Sequence, residues 1–430
     1  MSPEATGLAG LGLMTVMLAL GCPVGLAMIA IGLGGFAVLI GPEPALRILE
    51  RAALETAGNP GFTVIPLFIL MGAVVAQAGI GRDLFSAARR LSGGRPAGLA
   101  IAGLGASAGF AAASGSSLAT ASAMARAALP EMRAAGTDPR LAAGVIAAGG
   151  TLGIMIPPSI ALLLYALVME QSVGAMFLAG IIPGLLGLGL YAVAALAAGR
   201  VWQPSGLNAA PAATQSRRGG ALAALGLFAF VMGGIYTGLF TPTEAAGAGA
   251  ALALVLALAR GTDAAGIRTA FAETVALSAT LFVILIGAEA FGYFLSVSRL
   301  ASALEGWIAA AGIGPYGLLC AILAFYLVLG CLMDSLAMIL LTVPIFAPLA
   351  AAAGFDPIWF GILAVTAVEV GLITPPVGLN LFVVRAAAED LPLGTIWRGV
   401  LPFVLADVVR LALLVALPGL ALWLPSLAGP

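Results

Sequence analysis

Two five-residue stretches carry the residue types most able to do chemistry here. Ile154–Pro158 reads IMIPP and Leu372–Pro376 reads LITPP, each a proline pair set deep in apolar sequence. A proline inside a helix has no N–H and frees the carbonyl four residues earlier. Pro157 and Pro158 thus release Gly153 and Ile154, and Pro375 and Pro376 release Gly371 and Leu372. Bare carbonyl oxygens in an apolar medium must line a protein cavity or bind something. As hard ligands they suit an alkali cation.

A second pair of elements places polar tips inside apolar hairpins. The first tip is Ala113–Thr120, ASGSSLAT, reached by an apolar run from Pro96 and left by one ending at Pro130. The second is Gly330–Ser335, GCLMDS, between Tyr316 and Pro348. Neither pair of runs is long enough to cross a bilayer twice, so both are read as re-entrant hairpins meeting mid-membrane. Ser114, Ser116 and Ser117 bring hydroxyls to the first tip. Asp334 brings a carboxylate to the second, at a cost of about 2.5–3.5 kcal/mol at a helix centre. A cation, a positive partner or a proton would offset that cost; the alternative is an Asp that caps local N–H groups. Glu289 and Glu369 are also intramembrane by pattern. Asn380, four residues past the second proline pair, is placed either to donate to an anionic substrate or to cap a half-helix.

These elements are copies of each other. A shift of 218 residues lays Gly115–Tyr165 on Met333–Val383 without a gap, with 13 of 51 positions identical. Shared Ala and Leu mean little in so apolar a chain. The Asp138-Pro139 and Asp356-Pro357 pairs, Gly153 with Gly371, and the two Pro-Pro pairs in register mean an internal duplication. Duplicated halves with matching broken helices point to a secondary transporter.

Composition sets the frame that must position them. Of 430 residues, 62% are hydrophobic and only 9% charged, against about 25% charged in an ordinary soluble domain. That excludes a soluble enzyme, a nucleic-acid binder and a disordered scaffold, and leaves an all-α polytopic membrane protein in a lipid bilayer. There is no His and every basic residue is Arg, so the usual proton shuttle and metal ligand is missing. Intramembrane hydrolysis would lack its base. Cys22, Cys320 and Cys331 have no metal-site spacing and read as small hydrophobes. A net charge of −1 gives no steering of polyanions. Gly103–Ala108 fits G-x-G-x-x-A without a strand around it and reads as close helix packing. With no Walker A motif, the chain is not an ATPase, and no enzymatic activity or organic cofactor is expected.

Along the chain, Leu8–Ile40 reads as one span kinked at Gly21-Cys22-Pro23, with no cleavable signal peptide. Pro44–Ala57 and Arg82–Leu91 read as amphipathic interfacial helices around a span near Phe62–Ala78. The polar stretch Trp202–Arg218 separates a first repeat, 1–200, from a second, 219–430, through a linker at 201–218. Spans resume at Ala221–Leu239 and Glu244–Ala259. Arg200, Arg217, Arg218, Arg260 and Arg268 place the connections in the cytoplasm. Most arginines and acids are assigned to interfacial helices and loops.

At this level the chain resembles the large membrane subunit of tripartite ATP-independent periplasmic (TRAP) transporters. The stretches that carry the likeness are IPLFILMG at Ile65–Gly72, ASGSSLAT, IPPS at Ile156–Ser159, FTPTEAA at Phe240–Ala246 and GLITPPVGLNLFV at Gly371–Val383. The resemblance implies an elevator transporter in the bacterial inner membrane, importing a small organic anion on a sodium gradient. It implies a periplasmic solute-binding protein and a small membrane subunit, here expected as a separate chain. Two coupling sodium ions would lie where hairpin tips meet broken helices: one around Ser114, Ser116, Ser117, Gly153, Ile156 and Pro158, the other around Gly330, Asp334, Gly371, Thr374 and Val377. Ser117, Thr120 and Asn380 are the candidate substrate contacts. The alternative is a stand-alone sodium-coupled carboxylate symporter or sodium/proton exchanger of similar build. Which carboxylate is carried is not legible in the chain.

Overall fold

The computed structural model describes residues 2–92, 96–202 and 219–427; the linker at 203–218, with Arg217 and Arg218, lies outside them. Among the described residues all regular structure is helical, and eight helical segments are long and apolar enough to cross a membrane. The chain is a multi-pass membrane protein.

The first half runs α1 (Pro3–Ala19), α2 (Val24–Leu39), α3 (Pro42–Gly58), α4 (Val64–Gln77), α5 (Ile80–Leu91), α6 (Pro96–Ser114), α7 (Ser117–Ala127), α8 (Leu129–Ala134), α9 (Pro139–Met155), α10 (Ile160–Val168) and α11 (Val173–Val201). The second runs α12 (Gly220–Tyr236), α13 (Pro242–Ala259), α14 (Ala264–Ser298), α15 (Leu300–Ala310), α16 (Pro315–Gly330), α17 (Ser335–Ala352), α18 (Pro357–Ile373), α19 (Leu379–Ala387), α20 (Leu393–Ala416) and α21 (Gly419–Leu427).

The first predicted span is not one kinked helix but two antiparallel ones. Gly7 lies against Ser298 and Gly10 against Phe294, so α1 descends along α14. Gly25 then lies against Ile284 and Gly32 against Ala290, so α2 climbs back up the same helix. Gly21 makes the reversal with φ +83°, a left-handed conformation that costs glycine nothing. Pro23 then fixes the entry to α2. Glycines on α1 and α2 let the helices approach α14 this closely. The sequence pattern alone had no means of separating a kink from a reversal here.

Both predicted amphipathic helices form, as α3 and α5. On α3, Arg47 pairs with Glu43 at 2.6 Å and Arg51 with Glu55 at 2.7 Å, both four residues apart on the exposed face. The carboxylate of Asp390, between α19 and α20, is held below its usual range by the Arg133 guanidinium at the end of α8. Helix α13 opens with a capping box, Thr241 accepting from the Glu244 N–H while the Glu244 carboxylate accepts from the Thr241 N–H at 2.8 Å.

Helices α1–α4 and α12–α14 pack mainly on one another, as do α6, α7, α9–α11 and α16–α20. Amphipathic α5 bridges the two groups. Its Asp83 is ion-paired with Arg260 at the end of α13, whose Nε also donates to the Ala78 carbonyl at 3.1 Å. Its Arg89 pairs with Glu131 of α8 at 3.0 Å. Asp83 is buried, so Arg260→Ala strands a carboxylate and is expected to cost about 3–5 kcal/mol. A drop in the thermal unfolding midpoint of the purified protein is the measurement.

The two halves are inverted. Tyr165, near the end of α10, donates to the Pro357 carbonyl at the start of α18 at 2.6 Å. Conversely, Arg140 at the start of α9 meets Gly399, beyond α19. Along α20, Arg140 and then Thr151 (through Tyr191) meet Gly399 and Asp407. Trp359 and then Glu369 meet Leu414 and Arg410, in the reverse order, so α9 and α18 run antiparallel.

Candidate functional site

Both proline pairs interrupt helices as predicted. In the first half α9 stops at Met155 and α10 starts at Ile160; in the second α18 stops at Ile373 and α19 starts at Leu379. Each hairpin tip is bonded to the chain just after a break. Ile160 N–H donates to the Gly115 carbonyl at 3.2 Å, and Gly378 N–H, at the repeat-equivalent position, donates to the Cys331 carbonyl at 3.2 Å.

Two glycines permit this contact. A Cβ on Gly153 would overlap the Ser116 carbonyl and lie 2.8 Å from Thr120 Oγ1. A Cβ on Gly371 would lie 2.5 Å from the Gly330 backbone. Of the first candidate cation set, Ser116 lies against Gly153, Ser114 reaches it through Thr120, Ser117 is turned to Asn380, the Pro158 carbonyl faces Gly115 and Ile156 caps α9. Of the second candidate set, Gly330 and Gly371 touch, Asp334 caps the start of α17, and Thr374 and Val377 lie in the break.

Not every released carbonyl is bare. Ser159 Oγ donates to the Ile154 carbonyl at 2.5 Å, and Thr374 N–H donates to Gly371 at 3.1 Å. Thr374 Oγ1 is itself turned back onto the Val370 carbonyl at 2.5 Å. The Gly371 oxygen keeps one lone pair for a ligand.

The N-caps of the two tip helices are also repeat partners. Ser116 Oγ accepts from Ala119 N–H at 3.4 Å, while Asp334 Oδ2 accepts from Leu336 and Ala337 N–H at 3.1 and 3.4 Å. Both helix starts line one cavity of about 850 Å³, closed by Pro23–Leu26 of the first reversal and Leu277–Ile284 of α14. That volume suits a small molecule. Two helix N-termini at its wall give an environment that favours negative charge.

Of the candidate substrate contacts, Ser117 lines this cavity. Thr120 and Asn380 lie behind it, fully buried. Thr120 Oγ1 bonds Ser114 Oγ at 3.0 Å and the Ser116 carbonyl at 2.8 Å. Asn380 Nδ2 donates to Ser117 Oγ at 2.9 Å and to the Ala147 carbonyl at 3.2 Å. Asn380 therefore ties the first hairpin and first broken helix to α19. Glu289 is exposed on α14, beside Glu55 and Tyr293 along a separate cavity of about 1060 Å³.

A family profile described as "Tripartite ATP-independent periplasmic transporter, DctM component" matches residues 11–420. The chain belongs to that family. It is 35% identical over 399 residues to the C4-dicarboxylate TRAP transporter large permease protein DctM of Pseudomonas aeruginosa, covering 92% of this chain and 93% of that one. It is 33% identical to the sialic acid TRAP transporter large permease protein SiaM of Vibrio cholerae, over 95% of each chain. It is 32% identical to the ectoine/5-hydroxyectoine TRAP transporter large permease protein UehC of Ruegeria pomeroyi, over 96% of this chain and 97% of that one. The fold is similar to the crystal structure of the Alcanivorax borkumensis YdaH transporter, with a TM-score of 0.62 at 18% identity over 87% of this chain and 89% of that one. As a TRAP large permease the chain is a component of a membrane transporter.

One group escaped the reading by composition. Arg410, which that reading did not single out, is fully buried, with Asp407 and Glu369 around it. The signal was present: Asp407 and Arg410 are one turn apart on one face of α20, in a stretch that is apolar from Gly399 to Ala416 apart from them.

Proposed function

We propose that the chain is the large permease of a sodium-driven TRAP importer of a small organic anion in the bacterial inner membrane. It works with a separate small membrane subunit and with a periplasmic solute-binding protein that hands over the substrate. The observation that supports this best is the matched pair of helix breaks, each with a hairpin tip bonded just behind it, around one cavity.

The electrostatics support an ordered mechanism. An organic anion entering the cavity gains from the Ser116-capped start of α7, but meets the Asp334 carboxylate on the opposite tip. A sodium ion held by Asp334 and the Gly371 carbonyl cancels that charge before the anion arrives. A second, at Gly153 and the first-tip serines, adds positive field beside Ser117. Sodium binding thereby becomes a condition for substrate binding. Each ion entering down 100 mV supplies about 2.3 kcal/mol before any concentration gradient is counted. In the elevator reading, α6, α7, α9–α11 and α16–α20 move together against α1–α4 and α12–α14.

The test is uptake by proteoliposomes holding the chain, its small subunit and its binding protein. Replacing external sodium with potassium is expected to bring uptake to the protein-free background. Undiminished uptake in potassium overturns the reading.

A further inference from the structure

Behind both breaks lies a polar cluster to which the transport scheme above assigns no role. Thr151, Tyr191, Glu369, Asp407 and Arg410 are all fully buried. Arg410 of α20 is ion-paired with Glu369 of α18, and the same nitrogen lies 2.9 Å from Asp407 Oδ1. Tyr191 of α11 donates from its hydroxyl to Asp407 Oδ2 at 2.6 Å, and that hydroxyl lies 2.9 Å from Thr151 Oγ1 of α9. Gly187 leaves the room: a Cβ there would overlap Arg410 Nη1.

The two ends of this chain of contacts are related by the repeat. Thr151 and Glu369 differ by 218 residues, and each stands two positions before the equivalent glycines Gly153 and Gly371. At 3.6 residues per turn, two positions apart means nearly opposite faces of a helix. Each broken helix thus meets its hairpin tip on one face and the cluster on the other. Asp407 and Arg410, one turn apart on α20, hold both.

We propose that Tyr191, Asp407 and Arg410 are positioning residues that couple the two candidate cation sites. Occupation of one break fixes its helix, and the buried network carries that fixation to the other break. The inference rests on the sodium reading above and adds to it a route for cooperativity. Close-packed interiors transmit such shifts, because the intervening groups have no slack to absorb them.

The experiment measures sodium binding by the purified chain, through its sodium-dependent thermal stabilisation, alongside sodium-dependent uptake by the reconstituted complex. The wild-type chain is expected to show a Hill coefficient above one in both. Tyr191→Phe keeps the ring, which packs edge-on to Phe403 at 5.7 Å, and removes only the bridging hydroxyl. Its Hill coefficient is expected to fall toward one and its half-saturating sodium to rise, with uptake at saturating sodium retained. Thr151→Val cuts the same bridge from the other side and decides the matter if Tyr191→Phe does not fold; Thr151→Ser restores the wild-type curve. A folded variant of either kind with an unchanged Hill coefficient overturns the coupling. A wild-type chain that responds to sodium with a Hill coefficient of one also overturns it while leaving the sodium reading standing. No sodium response in the wild type overturns the sodium reading itself.

Discussion

Gly153→Ala and Gly371→Ala are each expected to lower sodium-dependent uptake about a hundredfold, the scale set by displacing a reacting geometry by about 1 Å. The reason lies in what the added methyl meets. At Gly153 it meets the Ser116 carbonyl and the Thr120 hydroxyl, and at Gly371 it meets the Gly330 backbone, with Cys331 N 3.0 Å away. A flexible side chain turns aside from such a contact, but backbone atoms do so only by moving the tip. Moving either tip loosens the Gly115–Ile160 or Cys331–Gly378 hydrogen bond and spreads the oxygens proposed to hold a cation. Gly105→Ala is the matched control on the first hairpin, since a Cβ there meets nothing within 4 Å. Initial uptake rates per inserted protein check this, and wild-type rates for both Gly153→Ala and Gly371→Ala exclude the close approach from function.

How much of this was legible follows from the kind of signal each element leaves. Proline pairs act locally on their own helix, so the breaks at Pro157 and Pro375 could be placed from the sequence to the residue. The repeat did the same for Gly153 and Gly371, because a shift of 218 residues aligns them without knowledge of the fold. The reversal at Gly21 was not legible, since a kink and a turn share the same Gly and Pro and differ only in whether α2 returns along α14. The sharing of released carbonyls was hidden for another reason. Ser159 and Thr374 compete for them through side-chain and 3₁₀-type bonds that depend on backbone angles within the break. Asn380 reads from the sequence as a substrate donor or a half-helix cap, but its bonds run to Ser117 and Ala147, more than 230 positions away. Arg410 did not stand out because low charge was read by count, and a count does not distinguish an interfacial arginine from one sealed against Glu369.

Asp334→Asn is expected to raise half-saturating sodium about tenfold or more while leaving the sodium-free protein as stable as the wild type. Asp334 has two separable tasks in this fold. As the N-cap of α17 it accepts from the Leu336 and Ala337 N–H groups, and asparagine caps as well as aspartate. As a carboxylate lining the cavity it is the charged member of the second cation set proposed above. Two unit charges 4 Å apart attract by about 4 kcal/mol at the effective dielectric of a partly solvated site. Part of that is offset by desolvating the ion, and what remains is about 1.4 kcal/mol or more, a factor of ten in affinity. Asp334→Ala removes both tasks, so stability falls as well, by about 1 kcal/mol for the lost cap. The pair separates the two readings of this residue that the sequence left open. If Asp334→Asn keeps the wild-type sodium curve, the carboxylate is a cap only, and the second cation site must be built from the Gly330, Gly371 and Val377 backbone alone. If instead sodium affinity falls with stability intact, the charge at the repeat partner of Ser116 is what distinguishes the two sites. The two candidate cation sites then share a backbone frame and differ in charge at that cap.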